Sequence, residues 1–266
     1  MQVIFYILIF ILGAALGSFL CCQAQRLHIK ETKKKSPGRR SACLHCGHKL
    51  KWYENIPVIS WLIQKGKCKK CGKKIGMAEL LSELGLAFSF LAIGTTINIA
   101  TANAIEWSIF IVTLLLILSM GFLAIYDGKW GKLPVSILTL SIIFAIGICV
   151  LRWVNIFTVS IFTWEPVLCT FAAVVILGGL YLLLYLISKG KWVGDGDWII
   201  GVIMGLALGT PWLALVALFI ANFAACIVMY PLVRKKKTKK IHLAPFLFFA
   251  LVVTLTVAEY LTNLVG

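Results

Sequence analysis

The chain has 266 residues, of which 61% are apolar and 14% charged, and it carries a formal net charge of +16. Such a composition excludes a soluble globular domain and describes a polytopic membrane protein. Fifteen of the 26 Lys and Arg fall between residues 26 and 74, so the positive excess reads as a topology signal and an attraction to anionic membrane lipid, with no nucleic-acid partner expected.

Apolar runs of about 17–25 residues, the length that crosses a bilayer, predict an all-α fold of about eight transmembrane helices. They lie near 3–24, 80–98, 107–126, 133–152, 166–187, 198–209, 211–233 and 244–264. The first run has no positive residue before it and no small-residue cleavage site after it, so a retained helix is expected and not a removed signal peptide. The sixth is short, with Thr210-Pro211 behind it. The expected divisions are a first transmembrane helix over 1–25, a cytoplasmic Cys-rich loop over 26–78, and a transmembrane helix bundle over 79–266. Lys129, Lys132, Lys189, Lys191 and the six basic residues of 234–240 share one face with the loop, and Arg152 alone is left for the other. By the positive-inside rule that basic face is cytoplasmic and both termini lie outside.

The loop after the first span needs a staple, because about fifty residues seldom bury an adequate core alone. Cys43-Leu44-His45-Cys46 and Cys68-Lys69-Lys70-Cys71 are two Cys-x-x-Cys knuckles with 21 residues between them, a spacing that reads as a structural zinc site. Tetrahedral Zn²⁺ takes four thiolates, so Cys43, Cys46, Cys68 and Cys71 fill its shell. His45 and His48 are alternative ligands that the four thiolates make superfluous. Disulfides are the competing reading, and a reducing cytoplasm disfavours them. Gly47 and Gly72 follow the second Cys of each knuckle, where the turn wants relaxed backbone angles. Cys21, Cys22, Cys149, Cys169 and Cys226 lie in apolar runs and read as small buried hydrophobes.

Farther along, two acid-bearing motifs stand where a span meets the basic face. Asp127 closes the third span, with Leu133-Pro134 after it, and Gly194-Asp195-Gly196-Asp197 opens the sixth. A carboxylate beside hydrocarbon is costly and marks a functional site. Helix capping competes as an explanation, more for Asp195 than for Asp197. If Asp127 and Asp197 face one another they hold one proton between them. The ionised member then takes a proton from water while the protonated member polarises a scissile carbonyl, which is peptide hydrolysis without a covalent intermediate. An alternative is a proton- or cation-coupled transporter using the same acids, although transport sites lie nearer the bilayer midplane. A membrane-tethered zinc scaffold would leave the acids idle.

In this order and spacing the motifs resemble the bacterial type IV prepilin leader peptidase/N-methyltransferase family, nearly end to end. The resemblance rests on Gly17-Ser18-Phe19-Leu20 with Arg26, the first knuckle, Trp52-Tyr53-Glu54-Asn55-Ile56-Pro57-Val58-Ile59-Ser60-Trp61, and the second knuckle with Gly72. Asp127 with Leu133-Pro134, Gly194-x-Gly196-Asp197 and Ala244-Pro245-Phe246 complete it. It implies an aspartic endopeptidase of the bacterial cell membrane that cuts the basic leader from prepilin-like or pseudopilin precursors (class III signal peptides) at the cytoplasmic membrane edge. It also implies N-methylation of the new terminus with S-adenosylmethionine. Asp127 and Asp197 inherit the catalytic roles, with Gly194, Gly196, Pro134 and Glu83 supporting them. The chain departs from the pattern at Ile199, where the family usually has Lys, at Cys21 for Asn, at Leu44 for Pro, and at Val135 for an acid. Lys191 is the nearest candidate to replace the missing Lys.

Overall fold

The computed structural model describes residues 2–32, 42–43, 46–159, 164–190, 193–234 and 242–265. They form two compact units, Met1–Gly94 and Thr95–Gly266. Helices make nearly all the regular structure, and the described β-structure consists of two isolated bridges, Ala42 with Lys49 and Lys67 with Lys74.

In the first unit α1 (Gln2–Glu31) packs along α3 (Met77–Gly94). The contact runs through Gly13 and Gly17, one helical turn apart. A Cβ on Gly13 would fall 2.7 Å from the Leu86 carbonyl oxygen, and one on Gly17 would fall 2.6 Å from that of Ser82. Small residues spaced by four let two apolar helices approach backbone to backbone, which stabilises helix pairs where no hydrophobic driving force exists between them. The other face of α1 exposes Val3, Ile4, Ile7, Leu8 and Ile11, an apolar stripe suited to lipid. Between the two helices the chain makes a 3₁₀ turn at Trp52–Asn55 and a short α2 (Ile59–Ile63).

In the second unit α4 (Ala104–Trp130) begins in a capping box: Asn103 Oδ1 accepts the Glu106 N–H at 2.9 Å and Glu106 Oε2 accepts the Asn103 N–H at 3.2 Å. It ends at Gly131, which adopts φ 63° and donates its N–H to the Asp127 carbonyl at 2.7 Å. α5 (Val135–Val159) starts directly after Pro134. The fifth apolar run is one continuous helical segment in three parts: α6 (Glu165–Val174), a π-helical turn (Val175–Gly179) and α7 (Leu180–Ser188). α8 (Asp197–Leu208), α9 (Pro211–Arg234) and α10 (Ala244–Val265) complete the unit.

α8 forms its core. Ile200, Ile203, Met204, Ala207 and Leu208 are all essentially solvent-inaccessible, and α8 packs on the π turn, α5, α6 and α10. Glycines set the depth: a Cβ on Gly201 would lie 2.7 Å from the Leu177 carbonyl oxygen, and one on Gly205 would lie 2.6 Å from the Val174 Cα. At the far end Gly209 turns left-handed at φ 72°. There Arg152 Nη1 donates to the Leu208 carbonyl at 2.8 Å, so the one basic residue assigned to the opposite face caps this helix.

Among the described residues six helical segments are long and apolar enough to cross a membrane: α1, α3, α4, α5 over Val135–Ile156, the α6–α7 segment and α9. The chain is therefore a multi-pass membrane protein. α8, with 12 residues, is only about 18 Å long, against about 30 Å of hydrocarbon. α10 runs for 22 residues, of which Ala244–Ala258 is the described apolar stretch. All eight predicted apolar runs are helical, and among the described residues six of them meet the length and hydropathy of a membrane span.

Candidate active site and candidate metal centre

The two knuckles are built alike, each from its own local bonds. The Cys43 N–H donates to the His48 carbonyl and the Gly47 N–H to the Cys43 carbonyl, both at 2.9 Å; Cys68, Lys73 and Gly72 repeat the pattern at the same distances. Gly47 and Gly72 both adopt φ 67°, the left-handed geometry that a residue with a Cβ adopts at a cost. The four Sγ atoms lie within 4.8 Å of one another, with Cys43–Cys71 at 3.9 Å and Cys46–Cys68 at 4.0 Å. A tetrahedron with Zn–S bonds of about 2.3 Å has edges of about 3.8 Å, so this set fits a single tetrahedral ion, and the four are free thiols. His48 lies instead against Glu54, 3.5 Å from Nε2 to Oε2, while His45 and Leu44 fall outside the described residues. The Lys51 N–H donates to Glu54 at 2.9 Å and holds its carboxyl below the usual carboxylate range, with His48 and Lys69 adding to the effect. Of the other cysteines Cys21 and Cys149 are buried, Cys22 and Cys169 partly so, and Cys226 is exposed, contrary to the buried role expected of it.

Glu83 is buried near the start of α3, with 8% of its surface exposed. Its Oε2 accepts the Val58 N–H at 2.7 Å, and Val58 adopts φ 62°, an unusual conformation for a β-branched residue. The carboxylate thus holds a strained turn of the Trp52–Trp61 segment.

Asp127 and Asp197 are both buried, 7% and 5% exposed. Asp127 sits in the last turn of α4. Its Oδ2 accepts the Ala244 N–H at 3.3 Å and its Oδ1 faces His242 Nδ1 at 3.5 Å. Asp197 is the first residue of α8, and its Oδ2 accepts the Gly194 N–H at 2.8 Å. The charge of Asp127 acts on Asp197, and His242 acts on both, so three titratable groups from three segments share one electrostatic neighbourhood.

The glycines of the second motif have separate tasks. A Cβ on Gly194 would meet the Asp197 carboxylate at 3.0 Å, and one on Gly196 would meet Leu133 at 2.5 Å. Leu133 is therefore the wall against which Gly196 packs. Gly196 occupies the N-cap of α8 and no side chain caps it, so neither Asp195 nor Asp197 serves as a cap. Asp195 is exposed and interacts with Tyr185. Ile199 is partly buried on the first turn of α8, and Lys191 falls outside the described residues.

Two neighbours of the acids escape a reading of the sequence alone. His242 stands among basic residues and looks like one more solvated charge. Tyr181 on α7 is 1% exposed, accepts a hydrogen bond from Asn222 Nδ2 at 3.2 Å, and lies within range of the Asp197 charge.

Residues 11–97 match the Bacterial Peptidase A24 N-terminal domain. Proteins named prepilin leader peptidase/N-methyltransferase are similar over comparable lengths. That of Myxococcus xanthus is 38% identical over 89 residues, 34% of this chain and 26% of the relative. That of Vibrio cholerae is 36% identical over 89 residues, 32% and 35%, and that of Bacillus subtilis 38% over 95 residues, 35% and 36%. Over this N-terminal third the chain is similar to the prepilin leader peptidase/N-methyltransferases. These matches span 26% to 36% of the relatives' own lengths, and the family domain includes the four cysteines and Glu83 but ends before Asp127 and Asp197. No solved structure matches the chain.

Proposed function

We propose that this chain is an aspartic endopeptidase that removes the basic leader of prepilin-like or pseudopilin precursors, and that it then N-methylates the new terminus. The reading is carried by one observation. Asp127 and Asp197, from opposite ends of two different helices, are both buried and within charge range of each other, and each is oriented by a backbone N–H. Gly194, Gly196 and Pro134 support it by shaping the turn that presents Asp197.

Two such carboxylates hold one proton as a pair. The ionised member takes a proton from water, whose oxygen attacks the scissile carbonyl carbon, while the protonated member donates to the carbonyl oxygen. Collapse of the resulting diol breaks the C–N bond as a proton passes to the leaving nitrogen, and the pair is left with the one proton it began with. In the reading proposed here α8 and α10 complete eight crossings, the basic loops are cytoplasmic, and both termini face outward. The acids then lie at the cytoplasmic edge, where a precursor's basic leader meets its apolar helix. Zn²⁺ on Cys43, Cys46, Cys68 and Cys71 supplies a structural staple for the loop. S-adenosylmethionine, when bound, supplies the methyl group.

The test uses detergent-purified full-length protein and a synthetic precursor peptide, with products weighed by mass spectrometry. The parent is expected to release the leader, and Asp127→Asn and Asp197→Asn each to lower the rate by at least about 10³-fold, in the range that a positioned acid or base contributes. Cleavage that survives in both variants sinks the dyad.

A further inference from the structure

The turn that presents Asp197 also presents a second acid, which the two-carboxylate chemistry leaves without a task. Asp197 is buried and its Oδ2 accepts the Gly194 N–H at 2.8 Å, so this side chain folds inward. Asp195, two residues earlier, is exposed, as is Gly194. Two residues of backbone span at most about 7 Å, so the outward carboxylate is anchored that close to the inward one. Its position is fixed. The Tyr185 hydroxyl hydrogen-bonds the Asp195 carboxylate, and the Tyr185 ring lies against the left-handed turn at Gly190 (φ 73°), where a Cβ would come within 3.2 Å of it.

The sign of this group is unusual for its place in the chain. Lys129 and Lys132 closely follow Asp127, and Lys189 precedes the Gly194–Asp197 turn. Among the described residues the ion pairs are His48 with Glu54 and His242 with Asp127, so none supplies Asp195 with a counter-charge. A phenol supplies none either, and Ile199, two residues beyond Asp197, is apolar. Of the other acids in the second unit Asp127 and Asp197 are buried. Glu106 and Glu165 stand at the starts of α4 and α6, remote from the turn, and Glu259 lies late in α10. Among the described residues Asp195 is therefore the one exposed acid beside the proposed reacting centre.

We infer that Asp195 receives a Lys or Arg of the substrate's leader, one or two residues before the scissile bond, and so sets which peptide bond is presented to Asp127 and Asp197. The inference deepens the peptidase reading and rests on it. A leader residue two positions from the cut lies within about 7 Å of it, which matches the reach between Asp195 and Asp197. A cationic segment is repelled by Lys and attracted at the single acid, and such a pattern fixes register and rejects wrong partners. An exposed ion pair is a weak anchor, worth up to about five-fold in binding. Asp195 therefore selects among leaders and adds little catalytic power.

The experiment gives detergent-solubilised full-length protein two synthetic precursor peptides, identical except for Lys or Glu at the second residue before the cut. Cleavage yields kcat and KM for each peptide. Fluorescence anisotropy yields Kd in an Asp127→Asn background, where cutting is slow. The parent is expected to favour the Lys peptide at least about five-fold at low ionic strength, through KM and Kd and not kcat. Asp195→Asn, which still accepts from Tyr185, is expected to lose that preference, and Asp195→Lys to reverse it. If the lysine disturbs the turn, the asparagine carries the comparison. Glu31, an exposed acid at the end of α1, allows the same charge change outside the turn, so Glu31→Lys should keep the parent's preference. Equal handling of the two peptides by the parent, a preference that survives in both Asp195 variants, or one shifted as far by Glu31→Lys overturns the inference. So does the absence of saturable binding by both peptides. Cleavage without charge preference sinks this inference alone, and charge-dependent binding without cleavage sinks the peptidase reading alone.

Discussion

Gly17 of α1 lies directly on Glu83 of α3, so close that a Cβ on Gly17 would come within 2.8 Å of the Glu83 Cα. The contact explains why a glycine opens the Gly17-Ser18-Phe19-Leu20 segment. It fixes the helix pair at the level where Glu83 holds Val58. The obstructing atoms are backbone, which cannot swing aside. Gly17→Ala is therefore expected to cost about 1–3 kcal/mol, the range for overpacking. Gly85, on the same α3, offers a matched control, since a Cβ there would meet nothing within 4 Å. Thermal unfolding in detergent should show Gly17→Ala lowered and Gly85→Ala unchanged or raised; equal melting of the two variants would contradict the close approach.

Gly194 tests the geometry of the proposed acid without removing it. A methyl group at this position would press on the Asp197 carboxylate at 3.0 Å, the same group that accepts the Gly194 N–H. Gly194 is not among the positive-φ residues, so alanine suits the backbone. Displacing a reacting group by about 1 Å costs roughly 10²-fold in rate. Gly194→Ala is expected to lose about that much cleavage while its melting temperature stays at the parent value. Full activity would show that the position of Asp197 is unimportant to the reaction.

The features that sequence made legible are local ones. Each knuckle is set by bonds within six residues, so Cys43, Cys46, Cys68 and Cys71 could be paired from spacing, and their sulfurs do converge. Apolar runs likewise became helices, because length and composition decide that alone. What stayed hidden lies between segments distant in the chain. His242 meets Asp127, Tyr181 approaches Asp197, and Arg152 finds the end of α8; no periodicity connects such pairs. The π turn at Val175–Gly179 was hidden for another reason. Its apolar residues read as uninterrupted helix, and only the approach of Gly201 to Leu177 gives the turn a visible purpose.

Metal removal should act on the loop and spare the helices. The thiol set draws ligands from two knuckles joined by a long connection, and each knuckle has only a few backbone bonds of its own. A structural Zn²⁺ contributes on the order of 10–16 kcal/mol to small domains that depend on it. Cys43→Ser and Cys68→Ser are each expected to abolish one bound zinc per chain, read by plasma mass spectrometry. Limited trypsinolysis should then cut within residues 46–76 while the helical circular dichroism persists. Unchanged metal content in both variants would reject these ligands.

His242 is expected to tune the proposed dyad without being required by it. Its ring lies 3.5 Å from Asp127, at the long end of an ion pair, and its side chain is 35% exposed, so solvent screens part of the interaction. Hydrogen bonds to charged groups contribute about 1.5–3 kcal/mol when well made; discounted for distance and exposure, about 1 kcal/mol remains, or roughly five-fold in rate. The ring also fills the space above Gly131, where a Cβ would come within 2.9 Å of it, so truncation loosens the turn that ends α4. His242→Ala is therefore expected to lower cleavage about three- to ten-fold. His242→Gln, which can still donate to the carboxylate and fill the space, should recover most of it. A loss as deep as that of Asp127→Asn would instead make the imidazole a participant in proton transfer, and the two-carboxylate scheme would have to become a three-residue one.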